Sequence, residues 1–232
     1  MDSLLPFGLL GLVVTVVGIV AYLSYEAEQK RRRLIQGYAQ STGWAYTARD
    51  DSWTGRFDGG PFGDGDHRRA ENVLTGRHGE RDMVAFDYSF QTHSTDGKGN
   101  TTTTTHRYTV CVLRLPAYLP ELELAPESLL TRVAGAVGFA DVELESEEFN
   151  RRYRVSARDP KFAYDVLNPR TMSALLARRA LHLRISGADA LCWENGRLQP
   201  AGLLEQLSTL ALLVDGIPSF VWSDHSPGGA TA

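Results

Sequence analysis

The chain has 232 residues, 24 basic and 28 acidic side chains and a formal net charge of −4, enough length to bury a core without metal or disulfide support. Residues 1–33 hold Lys30, Arg31, Arg32 and Arg33 against Asp2, Glu26 and Glu28, so removing these charges leaves 20 basic and 25 acidic side chains beyond them. A body that acidic is a poor electrostatic match for nucleic acid or an anionic lipid surface, and nucleic acid is excluded as a partner.

Leu4 to Tyr25 is a run of twenty-two residues without a charge. At about 1.5 Å per residue a helix of that length reaches roughly 33 Å, the thickness of the hydrocarbon layer. A cleaved secretory signal would carry positive charge ahead of a shorter apolar core and small residues before the cut. Met1-Asp2-Ser3 and Tyr22 to Tyr25 offer neither, so residues 1–25 are expected to remain as a single-pass anchor. The cluster Lys30 to Arg33, on the carboxyl side of the run, places the N-terminus outside and residues 26–232 at the cytoplasmic side of the cell membrane. Gly8, Gly11, Thr15 and Gly18 share one helical face, a small-residue stripe of the kind that lets two membrane helices associate.

Residues 26–43 continue the helix as a juxtamembrane segment, with Leu34, Ile35 and Tyr38 on one face and Ser41-Thr42-Gly43 as the stop. The Gly- and Asp-rich stretch 50–66 reads as turns. Asp64-Gly65-Asp66 lacks the third oxygen ligand of a calcium loop, because Arg68 stands in its place. Strands are expected from His67 to Arg77, from Arg81 to His93 and from Thr101 to Leu115, joined by tight turns into a three-stranded antiparallel meander. In the second of them Val84, Phe86, Tyr88 and Phe90 form one strongly apolar face. A turn centred on Gly99-Asn100 sets His93 opposite His106; a centre one residue earlier sets His93 opposite Thr104.

Pro116 and Pro120 are expected to break the third strand. Pro126-Glu127-Ser128 opens a helix carrying Leu129, Leu130, Val133 and Val137. A short strand over 141–145, a helical turn with Glu147 and Glu148 four residues before Arg151 and Arg152, and a strand over 153–157 come next. Asp159-Pro160 and Asn168-Pro169 each place a capping side chain before a proline, so two short helices follow. Leu181 to Ile185 and Ala190 to Trp193, separated by Gly187-Ala188, read as a C-terminal hairpin. A last helix starts at Pro200 with Leu203, Leu207, Leu210 and Val214 on its buried stripe, Phe220-Val221-Trp222 packs back on the body, and 223–232 is a disordered tail.

This order of strands interrupted by helices, without regular βαβ alternation, makes the class α+β, with the globular domain spanning 44–222. Cys111 and Cys192 sit in apolar strand contexts and suit buried thiols in a reducing compartment. No serine-nucleophile elbow, phosphate loop, dinucleotide fingerprint or zinc-protease helix occurs, so no cofactor and no metal are assigned. The chemistry-bearing residues that stand out are Asp87, in the middle of a strand, and His93 and His106 near the ends of two others.

The segments Thr42-Gly43-Trp44-Ala45-Tyr46, Pro61-Phe62-Gly63, Asn72 to Gly76, Phe86-Asp87-Tyr88, Glu148 to Tyr153 and Phe162 to Leu167 resemble, in that order, a family of bacterial, mainly actinobacterial, single-span membrane proteins of uncharacterised activity. The resemblance covers most of residues 40–222 and implies membrane attachment; it carries over no catalytic residue. The element holding Glu148, Asn150, Arg151 and Arg152 reads as a contact surface or as a strand entry with helical ion pairs. A membrane-tethered cytoplasmic module that binds or scaffolds an unknown protein is the leading expectation. The alternative is a membrane-anchored hydrolase or other enzyme with its site dispersed over the meander at Asp87, His93 and His106.

Overall fold

The computed structural model describes residues 5–127 and 139–225, with the side chains of the first helix described from residue 15 onward. One strand organises the rest. β4, Thr101–Pro126, takes β3, Arg81–Thr95, along the first half of one edge and β6, Tyr153–Ala157, along the second. β7, His182–Asn195, pairs with it from Tyr108↔Asn195 to Leu124↔Leu183 on the other edge. β2, Asp66–His78, and β1, Ala45–Arg49, extend the sheet beyond β3, and β5, Ala140–Val142, extends it beyond β6. All seven strands are antiparallel, and with six helices among the described residues the class is α+β.

Two expectations are corrected here. Pro116 and Pro120 do not end the third strand: they lie where the β4–β7 register shifts, between Arg114↔Asp189 and Leu122↔Ile185, so the strand bends and continues. Gly187-Ala188 does not turn a hairpin either. Gly187 has φ +61 and pairs with Leu119 inside the same irregularity, and a Cβ there would lie 2.7 Å from the Tyr118 ring. A bulge and a turn use the same residue types, and the long partner strand decided between them.

The sheet is covered on both faces. On one, Met83, Ala85, Cys111, Leu113, Leu183 and Cys192 meet helices that include α3, Pro160–Val166, α4, Pro169–Leu176, and α5, Pro200–Asp215. Asp159 and Asn168 cap α3 and α4 as their sequences require. On the other face Phe86, Tyr88, Phe90, Val110 and Trp193 form a second core, closed by Phe57 and Phe62 from the 50–65 loop. That loop is therefore a structural cover and not merely a series of turns. Arg184 holds it down, donating to Asp58 O and Gly60 O while pairing with Glu123 at 2.6 Å; Arg56 adds an ion pair to Asp189 at 2.8 Å.

α1, Leu5–Thr42, is one continuous helix of 38 residues that ends at Gly43, φ +72. Its exposed stretch carries Val16, Val17, Ile19, Val20, Tyr22, Leu23 and Tyr25. Its last turns join the domain instead: Ile35 and Ala39 are buried, Tyr38 packs edge-on to Trp44, and Leu34, expected on the same face, is exposed. α2, Glu147–Arg152, is capped by Ser146, and α6, Ser219–His225, extends into the stretch expected to be disordered. The helix expected after Pro126 and most of the tail lie outside the described residues.

Candidate functional site

Asp87 stands where the covered face of the sheet turns polar. Along β3 that face reads Met83, Ala85, Asp87, Ser89, Gln91, and α1 crosses it beside Asp87. The Asp87 Oδ2 accepts from Arg31 Nη1 and Asn72 Nδ2, both at 2.8 Å, and its Oδ1 accepts from the Leu198 backbone N–H at 2.6 Å. Asn72 is positioned by a register shift in β2 between Glu71 and Leu74 and holds φ +52, a conformation asparagine tolerates better than most residues. Its remaining amide oxygen accepts from the Tyr46 hydroxyl at 2.8 Å, so β1, β2, β3 and α1 converge on one carboxylate.

Arg31 also donates to Glu28, 2.9 Å away, and Glu28 is shared with Arg32 and, at 2.6 Å, with Arg197. Burial works against the Arg31 charge, but the Glu28 and Asp87 carboxylates outweigh it and raise its pKa. Burial likewise opposes ionisation of Glu28, and the hydrogen bonds from Arg31 and Arg32 more than offset it, holding that carboxyl below its ordinary value. A polar pocket of about 150 Å³ opens next to this junction, lined by Glu28 and Arg31 of α1, by Arg197, and by the sheet residues Arg69, Ser89 and Arg107 among others.

His93 and His106 do not join Asp87. The register pairs His93 with Thr103 and His106 with Phe90, so the turn is centred earlier than either expected register and the two imidazoles are not opposite one another. His93 bonds Thr103 Oγ1 and lies 3.3 Å from Asp66; His106 bonds Thr92 Oγ1 and stacks on Phe90. Neither lines the pocket. Among the described residues no group of three or more His, Cys, Asp and Glu side chains is placed to hold a metal ion. Cys111 and Cys192 are directly paired across β4 and β7, both buried, and burial raises the Cys111 thiol well above its ordinary range.

Around α2, Asn150 is committed to the chain itself, donating to Leu144 O at 2.7 Å and accepting from Leu144 N. Arg152 reaches Arg178 O, leaving Glu148 and the loosely paired Arg151 on the exposed face. The side chains of the small-residue stripe are described only at Thr15 and Gly18, where a Cβ on Gly18 would meet nothing within 4 Å. Sequence reasoning missed Arg31, Asn72 and Leu198. An asparagine directly before the apolar pair Val73-Leu74, in the strand next to that of Asp87, was the available signal for a buried polar pair.

Taken together, the architecture is an α+β domain whose antiparallel sheet receives the end of a long N-terminal helix through a buried ion network. No protein-family model matches the sequence, and no curated protein matches it. The fold is shared with the crystal structure of the mycobacterial trehalose monomycolate transport factor A, TtfA, at a TM-score of 0.61 and 14% sequence identity, over 81% of this chain and 96% of that one. At that identity the likeness is one of fold. Among the described residues, which include the side chains of α1 only from residue 15, no single helix is long and apolar enough to cross a membrane; the bent pair α5 and α6 passes by length and composition, yet Leu203, Leu207 and Leu210 of α5 are buried in the domain core.

Proposed function

We propose that the chain is a membrane-tethered module whose domain lies at the cytoplasmic face and binds another protein there. The observation that carries this reading is the two-part character of α1: large apolar side chains are exposed through Tyr25, and from Arg31 onward the same helix is built into the domain. Exposed apolar surface of that extent asks for lipid or a partner. The uncharged run that begins at Leu4, the basic cluster after it and the resemblance to single-span bacterial proteins support lipid, with the N-terminus outside. The helix then holds the domain against the bilayer in one orientation. Self-association through Gly8, Gly11, Thr15 and Gly18 belongs to the same reading.

Two exposed features suit a protein partner. The β3–β4 ribbon beyond Gln91 and before Thr105 is two-stranded, because β2 and β7 have already ended, so its backbone edges are open to strand addition. A groove of about 660 Å³ runs along α4 and α5, with Ala174, Ala211, Leu212, Ile217 and Pro218 in its wall. The Asp87 carboxylate, with both oxygens engaged within the fold and neither His93 nor His106 in its pocket, supports binding over a hydrolase built from these three residues. The fold shared with a trehalose monomycolate transport factor supports a partner within a transport system.

Photo-crosslinking residues placed at Thr102 in the ribbon and Arg170 in the groove wall of the full-length chain in its native membrane test the proposal. Discrete crosslinked species from at least one position are expected. A chain that stays in the membrane fraction and crosslinks to nothing from either position would refute partner binding through these surfaces.

A further inference from the structure

We propose that the pocket beside the Asp87 network binds the phosphate of an anionic phospholipid headgroup from the leaflet that α1 leaves. This rests on the tethered reading above. Arg69, Ser89 and Arg107 form one row across three strands, since Arg69 pairs with Ser89 and Ser89 with Arg107. At a strand spacing of about 4.8 Å the two arginines flank the serine with their Cα atoms roughly 10 Å apart. All three line the pocket, and both arginines are exposed.

Two of the three carboxylates that line this pocket, Asp87 and Glu28, are already engaged. Asp87 holds Arg31, Asn72 and Leu198 N, and Glu28 holds Arg31, Arg32 and Arg197. Glu71 is the third, in the next row, in backbone register with Asp87 and Arg49 and without an ion pair among the described residues, so the pocket holds one uncompensated carboxylate against the two guanidinium groups of Arg69 and Arg107. Asp51, the acidic group whose field reaches Arg69, is ion-paired to Arg49 at 2.5 Å. Arg69 and Arg107 form no ion pair with a carboxylate among the described residues, so two guanidinium groups and a hydroxyl converge on a space many times the 10–15 Å³ that one water requires.

Position selects a lipid over a free phosphate compound. Glu28 and Arg31, which wall the pocket, come three and six residues after Tyr25, or about 5 and 9 Å along the helix from the end of the apolar run. That is headgroup depth. The acidic body repels an anionic surface at long range, but over a Debye length of about 8 Å at physiological salt the local row decides.

The test uses full-length protein in non-ionic detergent micelles and three probes: dihexanoyl phosphatidylglycerol, glycerol phosphate and inorganic phosphate, titrated by calorimetry. The lipid is expected to bind most tightly, with affinity falling about tenfold for each arginine removed in Arg69→Ala and Arg69→Ala/Arg107→Ala. Arg151→Ala/Arg170→Ala, which removes the same charge elsewhere, is expected to bind as the parent does. Ser89→Asp, a second route to the same loss, sets a carboxylate in the middle of the row and is expected to abolish binding. Unchanged lipid affinity in both the double arginine variant and Ser89→Asp would overturn the site, and inorganic phosphate bound as tightly as the lipid would overturn the lipid assignment. Micelle binding does not depend on where the chain resides in the cell, so a chain found free of the membrane fraction would sink the tether while leaving this measurement to judge the pocket.

Discussion

Replacing Arg31 by Met keeps the apolar stem and removes the guanidinium that joins α1 to the sheet. Arg31 and Asp87 side chains are only 12% and 11% exposed, so the loss strands a carboxylate out of water. Breaking a buried pair from one side costs about 3 to 5 kcal/mol. Asp87 keeps Asn72 and Leu198 N as donors, and Glu28 keeps Arg32 and Arg197, which puts the expected cost near the lower bound, about 3 kcal/mol. For a domain of this size that corresponds to a fall in Tm of roughly 6 to 12 °C. Thermal unfolding of the full-length chain in detergent, followed by circular dichroism, reads the shift; limited proteolysis of 26–33 reads whether the helix lifts off. A cycle with Asp87→Asn should show a coupling of about 1 to 3 kcal/mol. A Tm within about 2 °C of the parent, or additive single and double variants, would refute the account of the junction. Glu28 titrates lower in the fold than its ordinary 4.5, so its contribution is present above that pH and is lost as pH falls through the lowered value.

His182 stacks on Trp193, and burial, with a smaller effect from Arg184, pushes its pKa down to about 4 from 6.5. The unfolded chain takes up this proton first, so stability should fall by about 3 kcal/mol between pH 6.5 and 4 and level off below; His182→Phe should remove that slope in denaturant titrations across the range. Phe62 is buried against Phe57, Tyr88 and Trp193, and Phe62→Ala should cost about 3 to 5 kcal/mol by chemical unfolding as the 50–65 cover loosens. Gly18 has open space around it within the chain, so Gly11→Leu/Gly18→Leu should leave the domain's unfolding midpoint unchanged while abolishing signal in a membrane-helix dimerisation reporter.

What the sequence made legible is what local chemistry decides. Asp159 and Asn168 announced their helices because a cap acts on amides two or three residues away. The meander followed from period-two alternation and tight turns. Pro116, Pro120 and Gly187 misled because the signals for ending a strand and for bending one are the same, and only β7 lying along the whole of β4 distinguishes them. Phe57 and Phe62 looked like loop residues because the face they cover is assembled from strands far away in the chain. Asp87 stood out as a mid-strand acid, yet its partners Arg31 and Leu198 lie 56 and 111 residues away, beyond the reach of any spacing rule. Arg31 itself was legible only as part of a basic cluster that orients the helix.

The central proposal is that α1 spans the membrane and delivers the domain to the cytoplasmic face. Protease added to intact cells and to inverted membrane vesicles, after carbonate extraction has shown which fraction holds the full-length chain, tests it most directly. The account predicts a chain that stays with the extracted membranes, a domain protected in intact cells and the same domain digested in inverted vesicles. A chain released into the soluble fraction, or a domain digested in intact cells, would contradict it.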